Sequence, residues 1–317
     1  RFANYLRDRG VRPGERVAIM LEPSRALYVA AFGAMKAGCI VVPLFTLFGP
    51  DGLALRIDDC TPSLLLTNPG KADMARQVGG PDVLVDDDDF FAMLDGYGAD
   101  FTPETSARDI AVYQYTSGTT RELPEAVRHT HGSLVTLTLS TLYATGIRPG
   151  DTFMIPSSPA WGHGLWHGTI APLSLGVTSG AYAGKFDPVR LMEGLQDLKI
   201  TNLSAAATHY RMMRNCGHAE DFTYSFEKLT FTGEPIDSET ASYVERVFGT
   251  KVRSMYGTTE IGVIIANYPG ADDLEVRDGA MGKAVPGVEV EVQDADGKPA
   301  KPGQVGELMV KKGDEWF

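Results

Sequence analysis

The sequence predicts an α/β fold of layered, mostly parallel sheets flanked by helices, ending in a small antiparallel, β-barrel-like subdomain. Two observations carry this reading. Short apolar, strand-like runs alternate with helix-like periods up to Tyr256, and several of those strands run into loops of small, hydroxyl-bearing or glycine residues. From about Gly279 the pattern changes: Val288-Glu289-Val290-Glu291-Val292 alternates strictly, as half-buried antiparallel strands do.

Arg16 to Leu21 reads as a buried strand ending at Pro23, and Ser24 caps a helix to Ala37 that Gly38 stops. Cys39 to Phe45 and Asp109 to Tyr115 read as strands, as does Thr152 to Pro156. Pro188 to Leu198 is helical by spacing, and Ile200 to Ala205 returns to strand. Asp237 and Ser238 cap a helix to Phe248 with Gly249 as its stop, and Lys251 to Tyr256 is a further strand. In the tail, a turn at Asp294-Ala295-Asp296-Gly297 separates the alternating run from a strand over Val305 to Val310.

The 317 residues carry 43% hydrophobic and 22% charged residues, an ordinary globular balance. A formal net charge of −12 argues against nucleic acid or an anionic membrane as the main partner. The most apolar stretch, Leu27 to Phe48, holds Lys36, glycines and Pro43, so it predicts helix, turn and strand rather than a membrane span. Cys39, Cys60 and Cys216 are too few and too widely spaced for a disulfide framework or zinc site, which fits a reducing, cytoplasmic setting. The run Asp86-Asp87-Asp88-Asp89 reads as a solvated loop.

Tyr113-Gln114-Tyr115-Thr116-Ser117-Gly118-Thr119-Thr120 carries the most chemistry. A strand delivers a run of hydroxyls around Gly118, whose missing Cβ admits an anion close to the backbone. The residues alone leave two readings, a phosphate cradle or an exposed Ser/Thr-rich turn.

That segment, followed by Pro124, Val127, His129, Thr130 and His131, resembles the phosphate-loop signature of the adenylate-forming superfamily, which includes acyl- and aryl-CoA synthetases. It is not a Walker loop, because the Gly-Lys-Ser/Thr ending is missing. Other elements resemble the same family in the same order: Met35 to Leu44, Thr232-Gly233-Glu234-Pro235, Tyr256-Gly257-Thr258-Thr259-Glu260, and Gly306-Glu307-Leu308. The resemblance spans nearly the whole chain.

It implies an ATP-dependent attack of a carboxylate on the α-phosphorus, giving an acyl-adenylate and pyrophosphate, then a thioester with coenzyme A. Two anions must be brought together in line, so magnesium and oxygen ligands are needed. By match to the motif, Glu260 is the magnesium carboxylate and Thr259 the hydroxyl on the α-phosphate. Thr116, Ser117, Gly118, Thr119 and Thr120 wrap the other phosphates; Tyr256, Gly257 and Thr258 with Gly233, Glu234 and Pro235 form the adenine side. Trp161, Gly162 and Trp166 wall the acyl group, with His163 beside the carboxylate or phosphate. Ala205 to Arg211 resembles an Ala-Pro-Thr-x-Tyr-Arg stretch, with Ala207 in place of Pro and a candidate for the acyl pocket. His163 and Ala207 can equally be structural, and Tyr256 has a lesser reading as a core tyrosine at a strand end. No Asp or Glu lies between Thr152 and Phe186, so a substrate ammonium would lack its counter-charge and an α-amino acid is disfavoured.

The sequence departs from the family at two places. After Thr120 the loop Gly is replaced by Arg121 and the loop Lys by Glu125, leaving Arg121 or Arg128 to supply positive charge. The family's ribose-binding Asp, hinge and catalytic Lys lie beyond Phe317, so the resemblance makes 1–317 the N-terminal adenylation part, with about 279–317 as its β subdomain and the small catalytic domain outside it. Such a piece is expected to be poorly active alone. An acid ligase loading a carrier protein, or a non-catalytic nucleotide-binding module, are the competing expectations, and a homodimer is common among similar enzymes.

Overall fold

The computed structural model describes residues 1–116, 125–271, 273–277 and 279–316. Among them, β1 (Arg16–Met20), β2 (Ile40–Pro43), β3 (Leu64–Thr67), β4 (Asp82–Val85), β5 (Ile110–Tyr115) and β6 (Ala126–Thr130) form one sheet in the order β4-β3-β1-β2-β5-β6. Every pair is parallel except β5 with β6. Successive residues of β1 enter different cores: Val17 and Ile19 pack with the helices Phe2–Asp8 and Arg25–Lys36, Ala18 and Met20 with the helix Pro50–Cys60. A parallel strand covered on both faces must be apolar throughout, which is why Val17 to Met20 reads as an unbroken run.

The second sheet holds β7 (Thr152–Met154), β8 (Thr178–Gly180), β9 (Asn202–Ala206), β10 (Lys228–Thr232), β11 (Val252–Thr258), β12 (Gly262–Ala266) and β13 (Lys283–Ala284), in the order β13-β12-β11-β10-β9-β7-β8. Its strands run parallel from β8 to β11, and β12 and β13 add antiparallel. Leu203, Ala205 and Leu229 pack under the helices Pro188–Asp197, Ala207–Asn215 and Ser238–Phe248. Helix ends follow the expected chemistry: Ser24 accepts from Leu27 N–H, Asp237 accepts from Thr240 N–H at 2.8 Å, and Gly249 closes its helix at φ 78°.

A small antiparallel sheet stands at the C-terminal end, with β14 (Val290–Gln293), β15 (Glu307–Lys312) and β16 (Glu315–Trp316) in that order. The anticipated boundary near Gly279 falls differently for one element, because Lys283–Ala284 pairs with β12 in the second sheet. The small sheet begins at Val290.

A buried ion pair fixes one end of the second sheet. Lys228 Nζ lies 2.8 Å from both Asp151 carboxylate oxygens, and Asn202 Nδ2 donates to Asp151 and to Thr145 O. No helix among the described residues is long and apolar enough to cross a membrane.

Candidate active site

A cavity of about 740 Å³ opens at the C-terminal ends of the parallel strands of both sheets. Pro43 closes β2, Tyr115 closes β5, Ala206 closes β9 and Thr232 closes β10, and all four line it. Gly257, Thr258, Thr259 and Glu260 line it from the end of β11. Thr116, the first residue after β5, reaches the same space. Ser117, Gly118, Thr119 and Thr120 lie outside the described residues, as does Arg121.

The wall facing these strand ends is a π-helix, His163–Ile170. A π-turn carries an extra residue in its hydrogen-bonded loop, and such segments recur at functional sites. Gly164 permits it: a Cβ there would stand 2.2 Å from Ser158 O. The helix spans both sheets. Trp166, 2% exposed, donates from Nε1 to Gln114 Oε1 of β5 at 2.7 Å, with His129 of β6 edge-on at 4.6 Å between ring centroids. His163 reaches the other sheet, its Nε2 lying 2.9 Å from Ser204 Oγ of β9 and its Nδ1 3.0 Å from Ser157 Oγ. Ser204 directs its own proton to Met255 Sδ at 3.6 Å, so it accepts from His163 Nε2–H and Nδ1 accepts from Ser157. Burial, reinforced by His167 and His209, pushes His163 well below the ordinary imidazole value. It therefore enters the cavity as a neutral ring with both nitrogens engaged.

The two tryptophans differ. Trp166 is an anchor as well as a wall, whereas Trp161 is 55% exposed and meets Phe45 edge-on at 6.1 Å. Phe45 meets Phe48 in turn, and Arg56 lays its guanidinium 3.9 Å above the Phe48 ring. Gly162 completes this side.

On the other side, β11 turns into β12 through Thr259-Glu260-Ile261, and the strand register shifts between Tyr256 and Gly257. Gly257 is required there, because an added Cβ would stand 1.9 Å from Gly262 O. Tyr256 is 39% exposed and lies off the cavity lining, leaving its ring free to face a ligand from outside. Gly233 lines the cavity; Glu234 and Pro235 do not. The Glu234 carboxylate accepts from Thr208 Oγ1 and pairs with Arg211, and these contacts, the Thr208 bond first, hold it below the usual carboxylate range. Ala207 is buried at the start of its helix and does not line the cavity; its neighbour Ala206 does. The carbonyl end of β9, not the helix start, faces the opening, so Ala207, expected in the acyl pocket, lies off the lining.

Glu260 with the hydroxyls of Thr259 and Thr116 gives the hard oxygen donors that magnesium takes, and a single protein carboxylate is typical where phosphate oxygens complete its shell. No cluster of three or more His, Cys, Asp or Glu that could hold a metal unaided exists among the described residues.

Arg56, Phe45, Phe48 and His167 line the cavity without having been singled out in the sequence, and Ala206 lines it from within the Ala205 to Arg211 stretch. A cation on the amphipathic helix Pro50–Cys60 reads as solvated until the aromatic residues beneath it are known.

A family model described as AMP-binding enzyme matches residues 1–314. The chain is 29% identical over 316 residues to the uncharacterized acyl–CoA ligase YtcI of Bacillus subtilis, covering 96% of this chain and 59% of that protein. It is 27% identical over 331 residues to the acetyl-coenzyme A synthetase of the same organism, covering 99% and 57%. Among solved structures, the acyl-CoA synthetase of Brucella canis superposes with a TM-score of 0.91 at 26% identity, over 99% of this chain and 60% of that one. ATP-bound MatB from Rhodopseudomonas palustris superposes with a TM-score of 0.85 at 26% identity, over 99% and 63%. The chain thus spans less than two thirds of the length of each.

Proposed function

We propose, since this chain belongs to the AMP-binding enzyme family, that it forms the adenylation site of an enzyme that activates a carboxylic acid with ATP and passes the acyl group to coenzyme A. A carboxylate oxygen attacks the α-phosphorus, the bond from that phosphorus to the bridging oxygen of the β-phosphate breaks, and pyrophosphate leaves with the electron pair. The thiol of coenzyme A then attacks the acyl carbon; its proton is lost and AMP departs.

One observation carries this reading: a single cavity joins a hydroxyl- and carboxylate-bearing loop at the end of β11 to an aromatic wall on the π-helix. The polar end suits phosphates and the aromatic end suits an acyl group. Thr259 donates to the α-phosphate, Thr116 with Ser117 to Thr120 holds the others, and Tyr256 and Gly233 hold the adenine. Glu260 and the neighbouring hydroxyls would hold magnesium, which when bound neutralises charge on the phosphate oxygens. His163, a neutral ring with both nitrogens engaged by Ser157 and Ser204, shapes the wall beside the carboxylate rather than acting as an acid or base.

The test is pyrophosphate release by the full-length protein with ATP, magnesium and a panel of carboxylic acids, followed by thioester formation on coenzyme A or on a phosphopantetheinylated carrier protein. Acid-dependent release and a coenzyme A thioester are expected. Thioester only on the carrier would move the acceptor assignment, and nucleotide binding without release under any acid would leave a binding module.

A further inference from the structure

His167 is the one cavity-lining histidine that is not satisfied on both nitrogens among the described residues. Its Nδ1 lies 2.5 Å from Thr141 Oγ1. Thr141 directs its hydroxyl proton to Leu137 O at 2.8 Å, so toward the ring it can only accept. Nδ1 therefore carries the imidazole proton and Nε2 carries the lone pair. No described residue donates to that Nε2, although the ring lines the cavity. Burial holds the ring neutral, pushing it down to about 4. The pocket thus presents a fixed hydrogen-bond acceptor on a lining that also includes Trp166, Met255 and Val263.

A purely apolar acyl group pressed against Nε2 would strip water from an acceptor and give nothing back. A second carboxylate would set lone pair against lone pair. An ammonium would find no carboxylate on this helix, since the carboxylate that lines the cavity among the described residues, Glu260, is on the loop after β11. A neutral hydroxyl satisfies the site.

We propose that the acyl pocket selects a hydroxy-substituted carboxylic acid whose hydroxyl donates to His167 Nε2, with the ring locked for that bond by Thr141. This rests on the adenylation reading above. It concerns which acid is taken and leaves the chemistry of activation unchanged.

The test uses non-hydrolysable acyl-adenylate mimics, acylsulfamoyl adenosines, in matched pairs with and without a hydroxyl at each position of short aliphatic and benzoyl groups. Binding to the chain is measured by titration calorimetry, so turnover is not required. The expected result is one hydroxyl position that binds at least about tenfold tighter than its deoxy partner. In His167→Phe, which keeps a flat ring without the acceptor, that ratio falls to about one while binding of AMP is unchanged. Deoxy mimics binding as tightly as every hydroxylated partner would overturn the selection while leaving the adenylation reading standing. Failure of AMP and all the mimics to bind would instead strike the adenylation reading. A variant that melts early leaves the wild-type pairs to decide the question.

Discussion

Trp166 Nε1 donates to Gln114 Oε1 at 2.7 Å, and this bond ties the π-helix that walls the cavity to the end of the strand that leads into the hydroxyl-rich loop. Both partners are buried. Trp166→Phe keeps most of the apolar volume but strands the Gln114 carbonyl, at a cost of about 1–3 kcal/mol. Trp166→Ala adds a cavity and should cost about 3–5 kcal/mol. Chemical denaturation of the two variants should rank them in that order, and a Trp166→Phe variant as stable as the parent would mean that the hydrogen bond contributes nothing.

Lys228 and Asp151 are 14% and 7% exposed at their side chains. Removing one partner leaves a charge without compensation, so Lys228→Met should destabilise the fold by about 3–5 kcal/mol. The double change Lys228→Met with Asp151→Asn should recover part of that loss. A single variant as stable as the parent in a urea titration would show that the pair is unimportant.

His167 and His209 are each pushed down to about 4 by burial, below the value of about 6.5 for an unfolded imidazole. Above that value both states are neutral and stability is fully present. Between about 6.5 and 4 the unfolded chain binds protons that the folded chain refuses, so stability falls as pH drops through this window. His167→Phe should make the melting temperature less steep in pH across it. An unchanged slope would mean that His167 titrates normally in the folded protein.

Arg56 brings a guanidinium to the cavity near Thr116, held on the rings of Phe48 and Tyr115. Its charge enters the cavity from the helix Pro50–Cys60, on the side of the strand end that leads into the hydroxyl-rich loop. Arg56→Met should weaken ATP binding at least about tenfold, as expected for a charge-assisted contact. Its effect on AMP should be smaller, and equal losses for the two nucleotides would remove the phosphate role.

Much of the fold is legible because its signals are local. Ser24, Asp237 and Gly249 mark helix ends by bonds and dihedrals that involve only near neighbours. The strand boundaries of β1 and β5 follow from apolar runs that both faces of a parallel sheet require. The π-helix is not legible, since nothing in its Gly-, Trp- and His-rich sequence distinguishes an extra residue per turn from an ordinary helix; the close approach that requires Gly164 comes from the loop at Ser158. The nucleotide-side loops were readable as motifs, and β11 with its turn into β12 brings Thr258 to Glu260 to the cavity. Arg56 was hidden because its role depends on Phe48 and Tyr115 beneath it, and His167 because its free nitrogen is decided by Thr141 on another helix. For Ala207 the sequence leaves two readings open, acyl lining or a buried helix start; the turn from β9 into the helix buries it and leaves Ala206 at the opening.

The central claim is that Glu260 and Thr259 stand at the reacting end of an adenylation site. It is tested most directly by exchange of labelled pyrophosphate into ATP in the full-length protein, with and without carboxylic acid. The account predicts acid-dependent exchange that falls at least about a hundredfold in Glu260→Ala while the melting temperature holds. Exchange that persists at the parent rate in that variant would contradict it.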